Sequence, residues 1–297
     1  SRGAENRGVE KAMLWLEKLD TSDTDMLSED DKTNLGILRR SLAEQVEANS
    51  YGQRTINFTN RGGWHQSFAS MQNNLPFRNV QDYRTYINRL KQYAKVNDQS
   101  IAVANQALAG GYVQPCVSMT GYETSISGLV TDKPEESRFY QPFTRKRPET
   151  IDQKTFDELA AEAAGTITAV INPAVRKHLD WYLRDYAPKC AKAPGVSAQP
   201  GGKKYYDFRI RQMTTTAKSA DEIHKIGLGE VARIRAEMVE VAKEAGFDTR
   251  EAFIEHLRTD PQYYAKTPEE LMEKVARVTK IIDGKMPSII GKLARLP

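Results

Sequence analysis

The chain has 297 residues, with 43 Lys and Arg against 39 Asp and Glu, a formal charge of +4. At 39% hydrophobic and 28% charged residues, it is too apolar and too evenly charged to be disordered, and no apolar run approaches the ~18 residues of a membrane span. Two cysteines, Cys116 and Cys190, cannot build a disulfide scaffold; neither sits in a CxxC pair, and they read as two buried thiols. The nearest approaches to basic runs, Arg145-Lys146-Arg147 and Lys203-Lys204, read as solvated surface, so no nucleic-acid partner is expected.

The chain opens on Ser1-Arg2-Gly3-Ala4-Glu5, with neither an initiator Met nor a signal peptide. It runs straight into a helical pattern, so its native start is expected to have been removed. A first helix is predicted over roughly 7–20 from the stripe Val9, Ala12, Met13, Leu16 and Leu19. Ser28 followed by Asp31 resembles a capping box before a second helix marked by Leu35, Leu38, Leu42 and Val46. Residues 50–75 read as a long loop broken at Gly62-Gly63. Asn79 caps a third helix, and a fourth runs to Gly110-Gly111. Pro115 suits the first turn of a fifth, with Met119, Tyr122, Ile126 and Leu129 on one face.

Three prolines and many charges make 131–150 the expected boundary between an N-terminal helical subdomain, 1–130, and a long-helix subdomain, 151–297. From 152 to 187 the pattern is one long helix, kinked at Pro173. A second long helix, 219–245, opens on Ser219-x-x-Glu222 and ends at Gly246. Thr249 and Thr267-Pro268 start two more. No alternating run is long enough for a sheet. The fold class is all-α, an irregular array of helices.

The four histidines, His65, His178, His224 and His256, have no partners at i+4, and there is no H-E-x-x-H, P-loop or G-x-G-x-x-G. His178 reads as a hydrogen-bonded packing residue, and His224 and His256 as surface groups. His65, in a glycine-rich loop, is a candidate for a cleft. The carboxylate pairs sit at helix starts and in charged loops, where helix-end electrostatics accounts for them.

The segment Gly195–Thr216 carries the richest pattern. Gly201 and Gly202 precede a helix start, where backbone N–H groups can meet an anion. Tyr205 and Tyr206 offer phenolic donors and Arg209 a forked one. A tight turn with packing tyrosines also accounts for it, and both readings stand.

This segment, with Ser219–Met238, Arg61-Gly62-Gly63-Trp64-His65, Leu75-Pro76-Phe77-Arg78-Asn79 and Ser137-Arg138-Phe139-Tyr140-Gln141-Pro142-Phe143, closely resembles the bacterial domain of unknown function 885 family. Gln199, where a leucine is expected, and Gln212-Met213, where relatives often carry a ring, depart from it. The resemblance implies helical zinc metallohydrolases of gluzincin type, about twice this length, many of them exported to the periplasm and often lipid-anchored. The zinc motif belongs to the second half, and none of its ligands maps onto this chain. What the resemblance implies here is the N-terminal, cleft-forming half of a zinc-dependent peptidase or hydrolase. Its partners would be its own C-terminal half and a peptide substrate, with homodimerisation through the uncovered face. The alternative is a non-enzymatic helical module that binds a peptide or protein.

Overall fold

The computed structural model describes residues 2–291; the C-terminal Leu293–Pro297 lies outside them. Two compact units divide between Lys218 and Ser219. Among the described residues there are helices and no strand, only two isolated bridges, Thr59 with Gly62 and Pro115 with Ala191.

In the first unit, α1 (Arg2–Asp20) and α2 (Glu29–Ser50) pack together as a hairpin. Ser28 caps α2 by accepting from the Asp31 N–H at 3.1 Å. The stretch expected as one long loop holds a helix, α3 (Trp64–Ser70). Gly63 stops nothing there: it is the extended residue before the first turn, and His65 and Ala69 then bury at helical spacing. Asn79 caps α4 (Val80–Lys91), and α5 (Tyr93–Ala109) ends at Gly110, with Gly111 at φ +76°. The helix expected from Pro115 is broken by Gly121 at φ +79°, which leaves α6 as Tyr122–Ser127. Met119, Tyr122, Ile126 and Leu129 are nonetheless all buried.

The segment 131–150, expected as a linker, is packed into this unit. It contains the short α7 (Gln141–Thr144), and Phe139 and Phe143 are buried. Tyr86 donates its hydroxyl to Phe139 O at 2.8 Å. Prolines here shape a path over the core instead of marking its edge.

The helix expected over 152–187 is present as one continuous run with two wide turns. It comprises α8 (Gln153–Thr166), a π turn (Ile167–Ile171), α9 (Asn172–Trp181) and a second π turn (Tyr182–Tyr186). Prolines explain both. Pro173 has no N–H, and its ring would strike the carbonyl four residues back. The helix widens ahead of it: the Asn172 N–H reaches Ile167 O, five residues back. The Ala187 N–H reaches Tyr182 O in the same way before Pro188. The extra residue moves the buried stripe, so Ile171 is fully buried and Val170 only partly.

The cysteines are not buried thiols. Cys116 and Cys190 form a disulfide, with Cα atoms 5.0 Å apart. The backbone brings them together first: the Cys116 N–H donates to Ala191 O, and the Ala191 N–H to Gln114 O, each at 2.9 Å. No local pattern signals this pairing, because the two residues are 74 apart. Beyond the bond, α10 (Gly202–Thr214) docks on α2. Arg211 pairs with Glu47 at 2.6 Å, and Arg40 donates to Arg211 O at 2.8 Å.

The second unit holds α11 (Ala220–Glu244), α12 (Arg250–Thr259) and α13 (Pro268–Lys285). The Ser219–Glu222 capping box is complete, and Thr249 and Thr267 cap as expected. Gly246, at φ +84°, ends α11 with the Phe247 N–H returning to Ala242 O.

Three outcomes are expected. Replacing Cys116 by Ala should lower the stability of the first unit by about 2–4 kcal/mol in denaturant unfolding, because the bond closes a long loop. Gly165→Ala, in an exposed helix position with open space around it, should add about 0.5–1 kcal/mol. Gly202→Ala should cost about 3 kcal/mol or more, since its Cβ would fall on the Val196 carbonyl.

Candidate functional site

The six residues singled out in the sequence fall into two places with different surroundings. Five lie at the start of α10. Gly201 adopts φ +64°, which favours glycine, and Gly202 lies against the Val196 carbonyl with no room for a side chain. The Gly202 N–H is already donated to Gln199 O at 2.9 Å, so it is engaged in a turn. Tyr205 is half-buried, edge-on to Tyr51 with ring centroids 5.4 Å apart. Tyr206 is 48% exposed and Arg209 is exposed, its guanidinium 3.7 Å from the Met213 sulfur. The adjacent tyrosines thus divide, one packed and one open, as residues about 100° apart on a helix must.

His65, the sixth, is fully buried. It belongs to a cluster that sequence spacing does not reveal. Trp64 stacks on His178, with ring centroids 4.2 Å apart, and donates its indole N–H to Asn97 Oδ1 at 2.8 Å. The Asn97 amide in turn donates to Ala174 O at 3.1 Å. One buried asparagine therefore ties α3 and α5 to α9. His65 and His178 lie 5.1 Å apart, ring to ring, and both are wholly buried.

The His65 tautomer follows from its neighbours. Ser125 Oγ has a single proton, which it donates to Tyr122 O at 2.7 Å. In its 3.1 Å contact with His65 Nε2, Ser125 must therefore accept. Nε2 carries the proton and Nδ1 is a bare acceptor, with no protein partner. This direction is wrong for a histidine activating a serine nucleophile, which would take the hydroxyl proton. Burial pushes His65 down to about 4. Burial, with His65 alongside, pushes His178 down to about 3. Both rings are neutral at neutral pH.

Next to the cluster the surface is hollowed. One recess of about 390 Å³ is lined by Ile56–Thr59, Gly62, Gly63, Trp64, Ser67 and Ser100. A second, of about 340 Å³, shares Asn57 and Ser100 with it and is bordered by Glu5, Arg54, Thr55 and Gln99. Its lining is mixed, with Val96 and Val103 beside the polar groups and the Arg54–Glu5 pair 3.5 Å apart. None of the residues at the start of α10 lines either recess.

The zinc that the resemblance implies finds no fit among the described residues. Among the described residues no group of three or more His, Cys, Asp or Glu could hold a metal. Both cysteines are in the disulfide, and the two buried histidines have no acidic side chain acting on them.

Asn97→Ala should cost about 2–3 kcal/mol, because this buried side chain serves both the Trp64 N–H and Ala174 O. The measurement is chemical denaturation followed by tryptophan fluorescence, with Asn105→Ala, which removes an exposed acceptor from the Trp181 N–H, as the milder comparison.

The crystal structure of a "putative lipoprotein" from Colwellia psychrerythraea matches with a TM-score of 0.84 at 20% identity, over 97% of this chain and 52% of that one. At that identity the likeness concerns the fold, and the chain spans about half the length of that protein. No curated protein matches the chain. The model of the family described as bacterial protein of unknown function, DUF885, matches residues 1–297. The chain therefore belongs to the DUF885 family.

Proposed function

We propose that this chain is the N-terminal, helical, cleft-forming half of a zinc-dependent peptidase or related hydrolase, inactive without the remaining half. The observation that carries the reading is the second unit's surface. Ile226, Leu228, Val231, Ile234, Met238 and Val241 on α11 are exposed, and so are Leu271, Met272, Val275, Val278, Ile281 and Ile282 on α13. Every residue from 271 to 285 is exposed. A soluble protein rarely leaves two such faces open unless something covers them. The match to only 52% of the similar structure supports cover by further chain of the same polypeptide. The hydrolase chemistry rests on the sequence resemblance, with zinc held by residues outside this chain. On this reading Gly201, Tyr206 and Arg209 border the substrate, and Tyr205 anchors them to α2.

Export to the periplasm belongs to the same proposal. The Cys116–Cys190 disulfide supports it, since such bonds persist in oxidising compartments, as does the description of the Colwellia protein. No helix among the described residues is long and apolar enough to cross a membrane.

The open faces also favour the second reading, a helical module that binds a separate protein, and one set of measurements separates the two. A longer polypeptide that includes this chain should cleave peptides and lose that activity to a chelator, while residues 1–297 alone should not cleave them. Ile234→Asp with Val278→Asp should change the stability of the 297-residue chain by less than about 0.5 kcal/mol, as for other exposed sites. In the longer polypeptide the same pair should abolish activity. Tyr206→Phe there should reduce hydrolysis at an unchanged melting temperature. A longer polypeptide that is inert and indifferent to all three substitutions sinks the hydrolase reading and leaves the binding module.

A further inference from the structure

We propose that the buried His65–His178 pair is an acid-sensitive latch, which clips α3 to the long helical run and releases it when either imidazole takes up a proton. The argument begins with unmet hydrogen bonds. His65 Nδ1, both nitrogens of His178, and the hydroxyls of Tyr93 and Tyr122 are buried and have no protein partner. These atoms belong to one neighbourhood. His65 touches both His178 and Tyr122 ring to ring, and the Tyr93 phenol adds to the electrostatics of Tyr122. A Cβ on Gly63 would lie 2.7 Å from the Tyr122 hydroxyl and 3.1 Å from His65 Nδ1. Interiors seldom leave this many polar groups unpaired.

Neutral imidazoles tolerate this setting because each is in part a flat apolar ring. His178 is stacked on Trp64, and His65 keeps its bond to Ser125. A charged imidazolium needs acceptors for two N–H groups and a counter-ion. The groups facing the pair cannot supply one. From α5 come Tyr93 and Asn97, and from α6 Tyr122. Tyr182 and Tyr186 follow from the second π turn. The charged neighbours on these elements are engaged elsewhere or act elsewhere. Lys177 pairs with Asp98 and Arg176 with Asp132, both at the surface, and the Glu123 charge acts on Tyr182. The Trp64 face favours a cation on His178, but burial outweighs it, and a second proton would be repelled by the first.

The direction of the pH effect follows. An unfolded histidine binds its proton near pH 6.5, whereas folded His65 and His178 do so only near 4 and 3. Between those values the opened chain holds more protons than the closed one, so closure weakens as pH falls below about 6.5. The pair joins residues 113 apart in sequence through a short helix that gives the core one fully buried apolar residue, Ala69, with Trp64 and Phe68 packed against it, whereas α4 alone gives Tyr83, Tyr86, Ile87 and Leu90. The first segment to leave is therefore α3.

Hydrogen exchange on the 297-residue chain at pH 7.5 and 4.5, corrected for intrinsic rates, tests this. Protection of the amides at 64–70 should fall by roughly three to four orders of magnitude at pH 4.5, about a hundredfold from each histidine, while α4 and α8 keep theirs. His178→Phe and His65→Gln should each remove about half of that loss on a logarithmic scale. Phe keeps the stack on Trp64, and Gln keeps the N–H to Ser125. His224→Gln and His256→Gln should leave it unchanged. The latch is refuted if protection at 64–70 survives at pH 4.5, if it disappears together with that of α8, or if both latch variants retain the acid response in full. Should neither variant fold, the C2 protons of the wild-type histidines decide. His65 and His178 signals that stay unshifted until the segment opens support the latch, and the same two titrating near pH 6.5 in the closed protein overturn it.

Discussion

A proline in a helix withholds a donor and pushes on the carbonyl a turn behind, and the first unit is built around two such positions in one run. From Gln153 to Tyr186 the backbone stays helical because each proline is preceded by a π turn that absorbs its bulk. That adjustment redirects the side chains that follow. Ile171, Ala174, Val175, His178, Trp181, Tyr182 and Tyr186 form one buried stripe. Phe58, Trp64 and Tyr122 meet that stripe with their rings, and Asn97 meets it with its side-chain amide, which donates to Ala174 O. Had the helix stopped at Pro173, none of these contacts would have a common surface.

What was readable in advance was local. Ser28, Asn79, Ser219, Thr249 and Thr267 announce helix starts because a cap is made within three residues, and each makes the bond its position implies. The apolar stripes and the all-helical class follow from the same short-range periodicity. What was not readable joins distant residues. Nothing around Cys116 points to Cys190, and nothing around Trp64 points to Asn97 or His178. Gly62-Gly63 suggests a break because two glycines disfavour a helix interior, yet Gly63 stands just outside one, where an extended residue is needed. For the candidate site, the division between Tyr205 and Tyr206 follows from helix geometry. The engagement of the Gly202 N–H depends on the turn at Gln199, which only coordinates reveal.

The two units differ in how their helices are supported. In the first, apolar stripes face one another and close a core rich in aromatic rings. In the second, α11 and α13 are held at their ends by caps and along their lengths by ion pairs such as Arg233 with Glu230 and Glu237. Exposed pairs of that kind contribute little each. Those helices gain little from burial, the usual source of helix stability in proteins.

The disulfide makes residues 116–190 a covalent ring. Within that ring lie the proline-rich path over the core and the exposed Glu149 and Thr150 at its outer edge. A protease that cuts there severs the main chain without parting the molecule. The two pieces remain tied through sulfur and through the helices packed on both sides of the cut. On a denaturing gel the two pieces would still migrate together until a reductant was added. For a chain exposed to proteases in an oxidising compartment, the bond keeps a cut from becoming the loss of the domain.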